Sequence, residues 1–550
     1  MAGSGGKKIL LGLMPFWSPL TPPLGISVLK SYLRQHGFDV AAYDFNTDDN
    51  LWEILDRYFK ILKETVPEHK QSNFYMVGFD VLSNHLVAYL HQSSSTRKSQ
   101  YWQLVKLLVS KNYFVEVDDH VVTAMDKVVS EFYTNLKQSI FTVLERIKPD
   151  VFGLSVYSPN LGPTLFAFKR VKEKYPHIET IMGGGVFADN LEMSSPNFSN
   201  FLENTEPYID VIMVGEGEIL LKRYLERQLE SGKRVYSLQD IERESLDLST
   251  VLIPDFSELK LSFYLQMATY ATRSCPFQCK FCSETVQWGR FRKKNAEQIV
   301  DEIDQIRREN GGKLFLFGDS LVNPVIEELS RQLLKKRSDI YWDAYLRTDP
   351  AVCDPVNTDL WRQGGFYRAR LGIESGSQRV LDLMNKKMSV QQMKKALSAL
   401  ANSGIKTTAY WVIGYPGETE ADFRETLNLV TEMKDELYEV DWHPFYFFPQ
   451  GQVSSHRWSQ EFEIEPLYPE EFSDMLLTQT WILNTNPGRE EIYDRLNRFG
   501  EACKKNGILN PYSLYEIYQA DLRWKKLHAK AKDTPSILEL HNQKWLAGHS

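Results

Sequence analysis

The chain has 550 residues, 43% hydrophobic and 25% charged, with a formal net charge of −8 and a pI near 5.9. This length predicts about three or four domains, and the ordinary composition predicts a soluble globular protein. The acidic balance argues against nucleic-acid binding, no apolar run approaches the ~18 residues of a membrane span, and five cysteines are too few for a disulfide framework, so a reducing cytoplasm is expected.

Met1-Ala2-Gly3-Ser4-Gly5-Gly6 reads as a flexible lead-in rather than a signal peptide. Lys8–Leu13 predicts a buried strand, followed by a proline-rich loop from Pro15 to Gly25 and a helix from about Ile26 to His36, with Gly37 at its C-terminal cap. Val40–Asp44 is the next strand, completing a β-loop-α-β unit. Residues 51–147 then carry helical periodicity and read as an inserted lobe. The alternating pattern resumes with Asp150–Val156, whose strand ends near Ser155. Thr180–Met182 runs into the turn Gly183-Gly184-Gly185, and Asp210–Val214 runs into Gly215-Glu216-Gly217-Glu218. Strands that end in glycine before a helix leave backbone N–H groups bare, which suits phosphate or amide ligands; they are also simply good turns. Residues 1–235 are thus expected to form a doubly wound Rossmann-like α/β domain, and 236–262 to be a linker.

The sharpest signal is Cys275-Pro276-Phe277-Gln278-Cys279-Lys280-Phe281-Cys282, a C-x3-C-x2-C spacing. Three thiolates on one loop can hold three irons of a [4Fe–4S] cube and leave the fourth open to an external ligand. The competing reading is structural zinc, which needs four ligands; residues 265–295 contain no fourth cysteine and no histidine. A thioredoxin-like C-x2-C pair is disfavoured by the third cysteine. No cysteine precedes Cys275, and only Cys353 and Cys503 follow the triad, so a second cluster lacks ligands.

From 263 to 450, strands and helices alternate, predicting a parallel sheet curled into a partial (β/α)6 TIM-like barrel with ligands at the strand C-termini. The strand-end motifs are Gly318-Asp319, Arg347, Glu374-Ser375 and Gly414-Tyr415-Pro416-Gly417-Glu418. Asp319 is either a loop cap or a pocket residue. Arg347 is either the partner of a ligand carboxylate or a salt bridge within the barrel. Glu374 can accept hydrogen bonds from sugar hydroxyls. Residues 451–550 read as a helical, aromatic-rich region that closes the open side of the barrel and shapes a substrate pocket, with Tyr446, His443 and Arg457 as candidate catalytic residues.

The cysteine loop, the aromatic Phe281 before its last cysteine, and the ordered strand-end motifs resemble the radical SAM family. In the N-terminal domain, Pro22-Pro23-Leu24-Gly25, Lys148-Pro149-Asp150-Val151 with Gly153 and Ser155, the Gly183–Gly185 turn and Gly215–Glu218 resemble the cobalamin-binding domain of the cobalamin-dependent members of that family. The resemblance implies a [4Fe–4S] cluster on Cys275, Cys279 and Cys282. It implies S-adenosylmethionine (SAM) against Phe281, Gly318, Asp319, Arg347, Glu374, Ser375, Gly414 and Pro416. It also implies cobalamin against Phe16, Trp17, Leu24, Gly25, Ser155, Gly183, Gly184, Gly185, Gly215, Glu216, Gly217 and Glu218. Many cobalamin domains carry D-x-H-x-x-G, but the loop after the first strand here has no histidine. The nearest string, Asp118-Asp119-His120-Val121-Val122-Thr123, lies in the inserted lobe and reads as surface. Cobalt without a histidine beneath it is therefore expected, its lower face packed by the Pro15–Leu24 loop, with Phe16 and Trp17 either under cobalt or in the core. A flavodoxin-like domain that binds no cobalamin is the structural alternative.

The activity implied is methyl transfer from methylcobalamin to an unactivated carbon of a small molecule or peptide, through a 5′-deoxyadenosyl radical, with a flavodoxin- or ferredoxin-type electron donor. Polar methylation, or a ring rearrangement or cyclisation, is the alternative, and a non-catalytic cobalamin sensor a distant one. Where relatives carry a Pro-Gly-Thr turn, this chain reads Pro449-Gln450-Gly451, and the resemblance thins from there.

Overall fold

Ile9–Leu13 are all buried, the continuous apolar run of a strand covered on both faces. The computed structural model describes residues 7–539, apart from 49, 93, 94, 250–252, 511, 512 and 535; the lead-in Met1–Gly6 lies outside the described residues. The chain forms two units: residues 1–18, 23–261 and 447–483, and residues 19–22, 262–446 and 484–550.

The first unit is built on six strands: β1 (Lys8–Leu13), β2 (Asp39–Asp44), β3 (Val151–Ser155), β4 (Glu179–Gly183), β5 (Val211–Val214) and β6 (Val235–Ser237). They lie in the order β2-β1-β3-β4-β5-β6 with every pair parallel. The order reverses between β1 and β3, and in such sheets ligands bind in the crevice outside the strand C-termini at that reversal. Helix α1 (Leu24–Gln35) connects β1 to β2, two residues longer at its start than expected, and Gly37 takes the left-handed turn after it (φ 84°). Four helices, α2 (Leu51–Thr65), α3 (Phe74–Tyr89), α4 (Ser95–Tyr113) and α5 (Asp119–Ile147), form the insertion.

One residue from each of these helices joins a buried hydrogen-bonded chain: Tyr58 to His85 Nδ1 (2.9 Å), His85 Nε2 to Tyr101 (2.7 Å), and Tyr101 donating to Asp126 (2.6 Å). Burial pushes His85 down to about 3, so it is neutral. Since buried polar groups demand these partners, the chain fixes the register of the four helices. His120 stands exposed in the first turn of α5, as read from the sequence.

Two boundaries differ from expectation. The 236–262 stretch packs with the first unit up to Leu261, and the 451–550 region is divided. Residues 447–483 belong to the first unit, where Asn197 exchanges two 2.9 Å bonds with the Gln479 backbone and Asn112 donates to Tyr468 (3.0 Å). The physical reason is that these polar groups are buried and need these bonds, along with local ones to Asn190 and Leu108, to be satisfied.

The second unit carries β7 (Met267–Thr269), a hairpin of β8 (Thr272–Arg273) and β9 (Arg292–Lys293), then β10 (Leu314–Phe317), β11 (Tyr341–Leu346), β12 (Phe366–Glu374), β13 (Lys406–Ile413) and β14 (Glu439–Pro444). Its main sheet runs β14-β13-β12-β11-β10-β7, all parallel and open at both edges. One face carries buried charge where branched aliphatics are usual: Arg370 pairs with Asp343 (2.8 Å) and donates to Tyr410 (3.0 Å), and Arg368 pairs with Glu439. Three of the second unit's helices bear on the site: α6 (Gln378–Leu383) after β12, α7 (Glu420–Glu432) after β13 and, beyond β14 and the first-unit helix α8 (Ser455–Glu461), α9 (Arg489–Lys505). No helix among the described residues is long and apolar enough to cross a membrane.

Candidate active site

The cysteine loop follows β8 and is held from both ends. Asp319, just past β10, accepts from the backbone N–H groups of Ala271 (2.8 Å) and Thr272, and Gly318 donates to Thr269 (2.9 Å). Asp319 is thereby the cap of the segment entering the loop; burial pushes its carboxyl up to about 6 in spite of these bonds. Lys280 N–H donates to Met384 (3.0 Å), and Asn385 Nδ2 to Gln278 (2.8 Å), which ties the loop to the chain leaving α6. Cys279 is buried, while Cys275 and Cys282 are partly accessible. Burial pushes the Cys275 thiol up and that of Cys282 up to about 12, so both need a bound cation to become thiolates. No three His, Cys, Asp or Glu side chains among the described residues converge on the point a single ion would occupy. Thiolates that each hold a different iron of a cube are not required to converge.

Two cations flank the triad, an environment that favours a thiolate-bound group. Arg347, at the end of β11, places Nη1 3.9 Å from Cys279 Sγ and stacks over Phe277 at 4.0 Å. It is 7% exposed, forms no ion pair among the described residues, and its Nη2 is buried without a hydrogen-bond partner. A fixed, partly unsatisfied guanidinium suits a ligand carboxylate. Lys386 is the second cation: its Nζ lies 2.7 Å from Glu374 Oε1 and 5.5 Å from the Phe281 ring. Burial works against its charge, yet Glu374 and Cys279 prevail and hold its ammonium above the usual lysine range.

Glu374 ends β12 in the left-handed region (φ 65°), an uncommon conformation for a residue with a side chain. Gly372, two residues earlier, explains how it fits: a Cβ there would lie 2.4 Å from Glu374 Oε1 and 2.9 Å from Lys386 Nζ. Ser375 is fully buried, its hydroxyl engaged with Thr426 of α7 (3.2 Å) and the Ser377 N–H (3.1 Å). Gly414 (φ 79°) and the buried Pro416 form the turn after β13. His443 and Tyr446 stack at 6.0 Å at the end of β14. Arg457 lies on α8 of the first unit, 64% exposed and paired with Glu461, an ordinary solvent-facing i,i+4 pair. Lys386 had no sequence signal, since it sits in the polar run Asn385-Lys386-Lys387 that reads as surface.

In the first unit, the strand-end residues gather along neighbouring strand C-termini. Ser155 ends β3, Gly183 ends β4, and Gly215 follows β5; Leu24 and Gly25 open α1, and Glu216, Gly217 and Glu218 start the helix after β5. Gly184 (φ 122°) cannot be replaced, because a Cβ would run into the Val156 backbone, and a Cβ on Gly215 (φ 108°) would lie 2.7 Å from the Leu238 side chain. Phe16 belongs to the core, 5% exposed and stacked on Phe132 at 5.2 Å with Trp52 at its edge. Trp17 is half-buried against Tyr157 (4.9 Å), and the neighbouring Gly25 lies beside Ser155 and Tyr157 at the β1/β3 reversal. Tyr157 escaped the sequence reading; its only signal was its place two residues beyond a strand end.

A parallel half-barrel with three cysteines before its second main strand, a buried arginine and a strand-end carboxylate defines a domain of the radical SAM class. Residues 269–430 match the family model of the Radical SAM superfamily. Among curated proteins, the chain is 26% identical over 330 residues to an anaerobic magnesium-protoporphyrin IX monomethyl ester cyclase of Rubrivivax gelatinosus, covering 54% of this chain and 55% of that protein. It is 25% identical over 357 residues to the cobalamin-dependent radical SAM methyltransferase TokK of Streptomyces tokunonensis, covering 58% and 50%. The chain thus spans about half the length of these relatives. Among solved structures, the radical SAM methyltransferase TsrM of Kitasatospora setae, with cobalamin and a [4Fe–4S] cluster bound, matches with a TM-score of 0.59 at 12% identity, over 98% of this chain and 100% of that one. A second TsrM structure, holding tryptophan and a SAM analogue, matches at 0.61 and 12%, over 99% and 100%. The fold over nearly the whole chain is that of these structures, with one six-stranded parallel α/β sheet in each unit.

Proposed function

We propose that the protein is a cobalamin-dependent radical SAM methyltransferase acting on an unactivated carbon of a small molecule or peptide. The observation that carries this reading is Arg347, a buried guanidinium beside Cys279 with one nitrogen unsatisfied, where a carboxylate-bearing ligand on a cluster would complete it. When bound, the cluster and SAM supply a 5′-deoxyadenosyl radical, and cobalamin supplies a transferable methyl group. The chain's own residues hold and orient. Cys275, Cys279 and Cys282 hold iron, Arg347 takes the SAM carboxylate, and Glu374, its charge balanced by Lys386, accepts from the ribose hydroxyls. The Gly414–Pro416 turn offers a surface for adenine. Trp17, Gly25, Ser155, Gly183–Gly185 and Gly215–Glu218 line the cobalamin crevice, with no histidine among them.

The relatives' names favour methyl transfer through TokK and TsrM, and the tryptophan in TsrM favours a small-molecule substrate. The resemblance to the cyclase favours a second reading, ring closure on the same cofactors. An electron donor of the flavodoxin or ferredoxin type completes either.

Anaerobic reconstitution tests the reading. About four irons and one cobalt per chain, with SAM cleaved to 5′-deoxyadenosine, are expected. Iron without cobalt would overturn the N-terminal assignment, and a product that gains no methyl mass would select ring closure.

A further inference from the structure

Helix α9 lies outside every motif, yet it grips the turn that ends β13. Arg495, 1% exposed, donates from Nη1 to both the Glu418 side chain (2.9 Å) and the Glu418 backbone carbonyl (3.2 Å), and from Nη2 to Glu491 (2.5 Å). Glu418 is itself fully buried and accepts from the Gly414 N–H (2.9 Å) through the same oxygen. Its other oxygen, Oε1, is buried without a hydrogen-bond partner. Just before α9, Asn486 accepts from Gly417 N–H (2.7 Å), and Ile492 on α9 occupies the space a Cβ on Gly414 would need. Arginine, Glu418, the Gly414 amide and Ile492 therefore determine the shape of the five-residue turn Gly414–Glu418. Arg379 also donates to the Gly417 carbonyl, but the β13 end of the turn is set from α9; its glycines at 414 and 417 both adopt positive φ, a conformation that a free loop samples readily.

We infer that Arg495 is a positioning residue for SAM, setting the Gly414–Glu418 turn from outside the barrel so that it presents a fixed face to the adenine. This rests on the radical SAM reading above, which assigns that turn to the nucleoside. The guanidinium fork, not charge alone, is what the geometry uses, because one nitrogen serves a carboxylate and a carbonyl while the other serves Glu491. A lysine keeps the charge and loses the fork.

The test uses the full chain with its cluster reconstituted, SAM as the probe, and two readouts: the SAM dissociation constant by calorimetry, and the change SAM produces in the electron paramagnetic resonance spectrum of the reduced cluster. Arg495→Lys should weaken SAM by about tenfold, within the 5–150-fold range of ordinary site-to-site coupling, and shrink the spectral change at matched SAM concentration. Arg498→Met is the control. Arg498 docks the same helix through Glu420 at 2.6 Å, 37% exposed, without touching the turn, and should leave both readouts unchanged. Glu418→Gln keeps the side chain's volume and an acceptor for Gly414, and supports the inference by weakening SAM less than Arg495→Lys. The inference is overturned when Arg495→Lys lowers melting temperature alone and binds SAM as the parent does, or when Arg498→Met weakens SAM equally. A cluster-loaded parent that binds no SAM would instead sink the reading on which the inference rests.

Discussion

Replacing Lys386 by methionine isolates the ion pair at the end of β12. Lys386 and Glu374 are 10% and 8% exposed in their side chains and meet at 2.7 Å, so neither is solvated enough to stand alone. Methionine keeps most of the volume and removes the charge, leaving Glu374 buried beside the Cys279 region with no countercharge. Breaking a buried pair from one side costs about 3–5 kcal/mol, against about 0–1 kcal/mol for an exposed pair. In a unit of this size each kcal/mol moves the melting temperature by about 2–4 °C, so Lys386→Met should lower it by roughly 6–20 °C. Scanning calorimetry on the metal-free chain reads this directly. Glu374→Gln on top of Lys386→Met removes the stranded charge and should recover much of the loss, and the double-mutant cycle should give a coupling of at least about 1 kcal/mol. A drop under about 2 °C, or strict additivity in the cycle, would refute the claim that these groups form a desolvated pair.

Gly372→Ala should displace the same pair by contact, because its Cβ would meet both Glu374 Oε1 and Lys386 Nζ; weaker SAM binding with secondary structure intact, by calorimetry and circular dichroism, is the expected result. Cys279→Ser should abolish cluster assembly while leaving cobalamin uptake by the first unit unchanged, measured as iron and cobalt per chain. Burial alone would raise the carboxyl of Asp422, but Arg379, Ser377 and Thr419 outweigh it and hold the group well below the usual carboxylate range. A depressed folded value contributes stability above the unfolded value of about 3.9, and that contribution is lost as the pH falls below it. Arg379→Met should therefore melt earlier than the parent at pH 7, with the gap closing below about pH 4; a gap that stays constant with pH would contradict the assignment.

The parallel sheets, their strand-end glycines and the cysteine triad were legible because each is a local pattern: apolar runs of fixed length, turn residues at fixed offsets, three cysteines within eight positions. What escaped the sequence was pairing across distance. Lys386 reads as surface until β12 folds Glu374 against it. Asp343 and Arg370 sit two strands' worth of chain apart and meet only because β11 and β12 are neighbours. Arg495 gives no sign of its partner 77 residues earlier. Phe16 and Trp17 are adjacent in sequence yet differ in fate, one in the core against α5 and the other half-open at the strand ends, since consecutive side chains in an extended loop point apart. Asp319 was ambiguous for a different reason: a carboxylate after a strand can bind either a ligand or its own backbone, and only the Ala271 and Thr272 amides decide it.

The first unit takes its last piece, residues 447–483, from beyond the entire half-barrel. A ribosome making this chain has therefore finished both six-stranded sheets before Tyr468 and Gln479, which complete the bonding of Asn112 and Asn197, exist. Neither unit can be cut out at a single point. A gene fragment ending at the last strand of the second sheet would encode an unfinished first unit, which ties inheritance of both units to one uninterrupted reading frame.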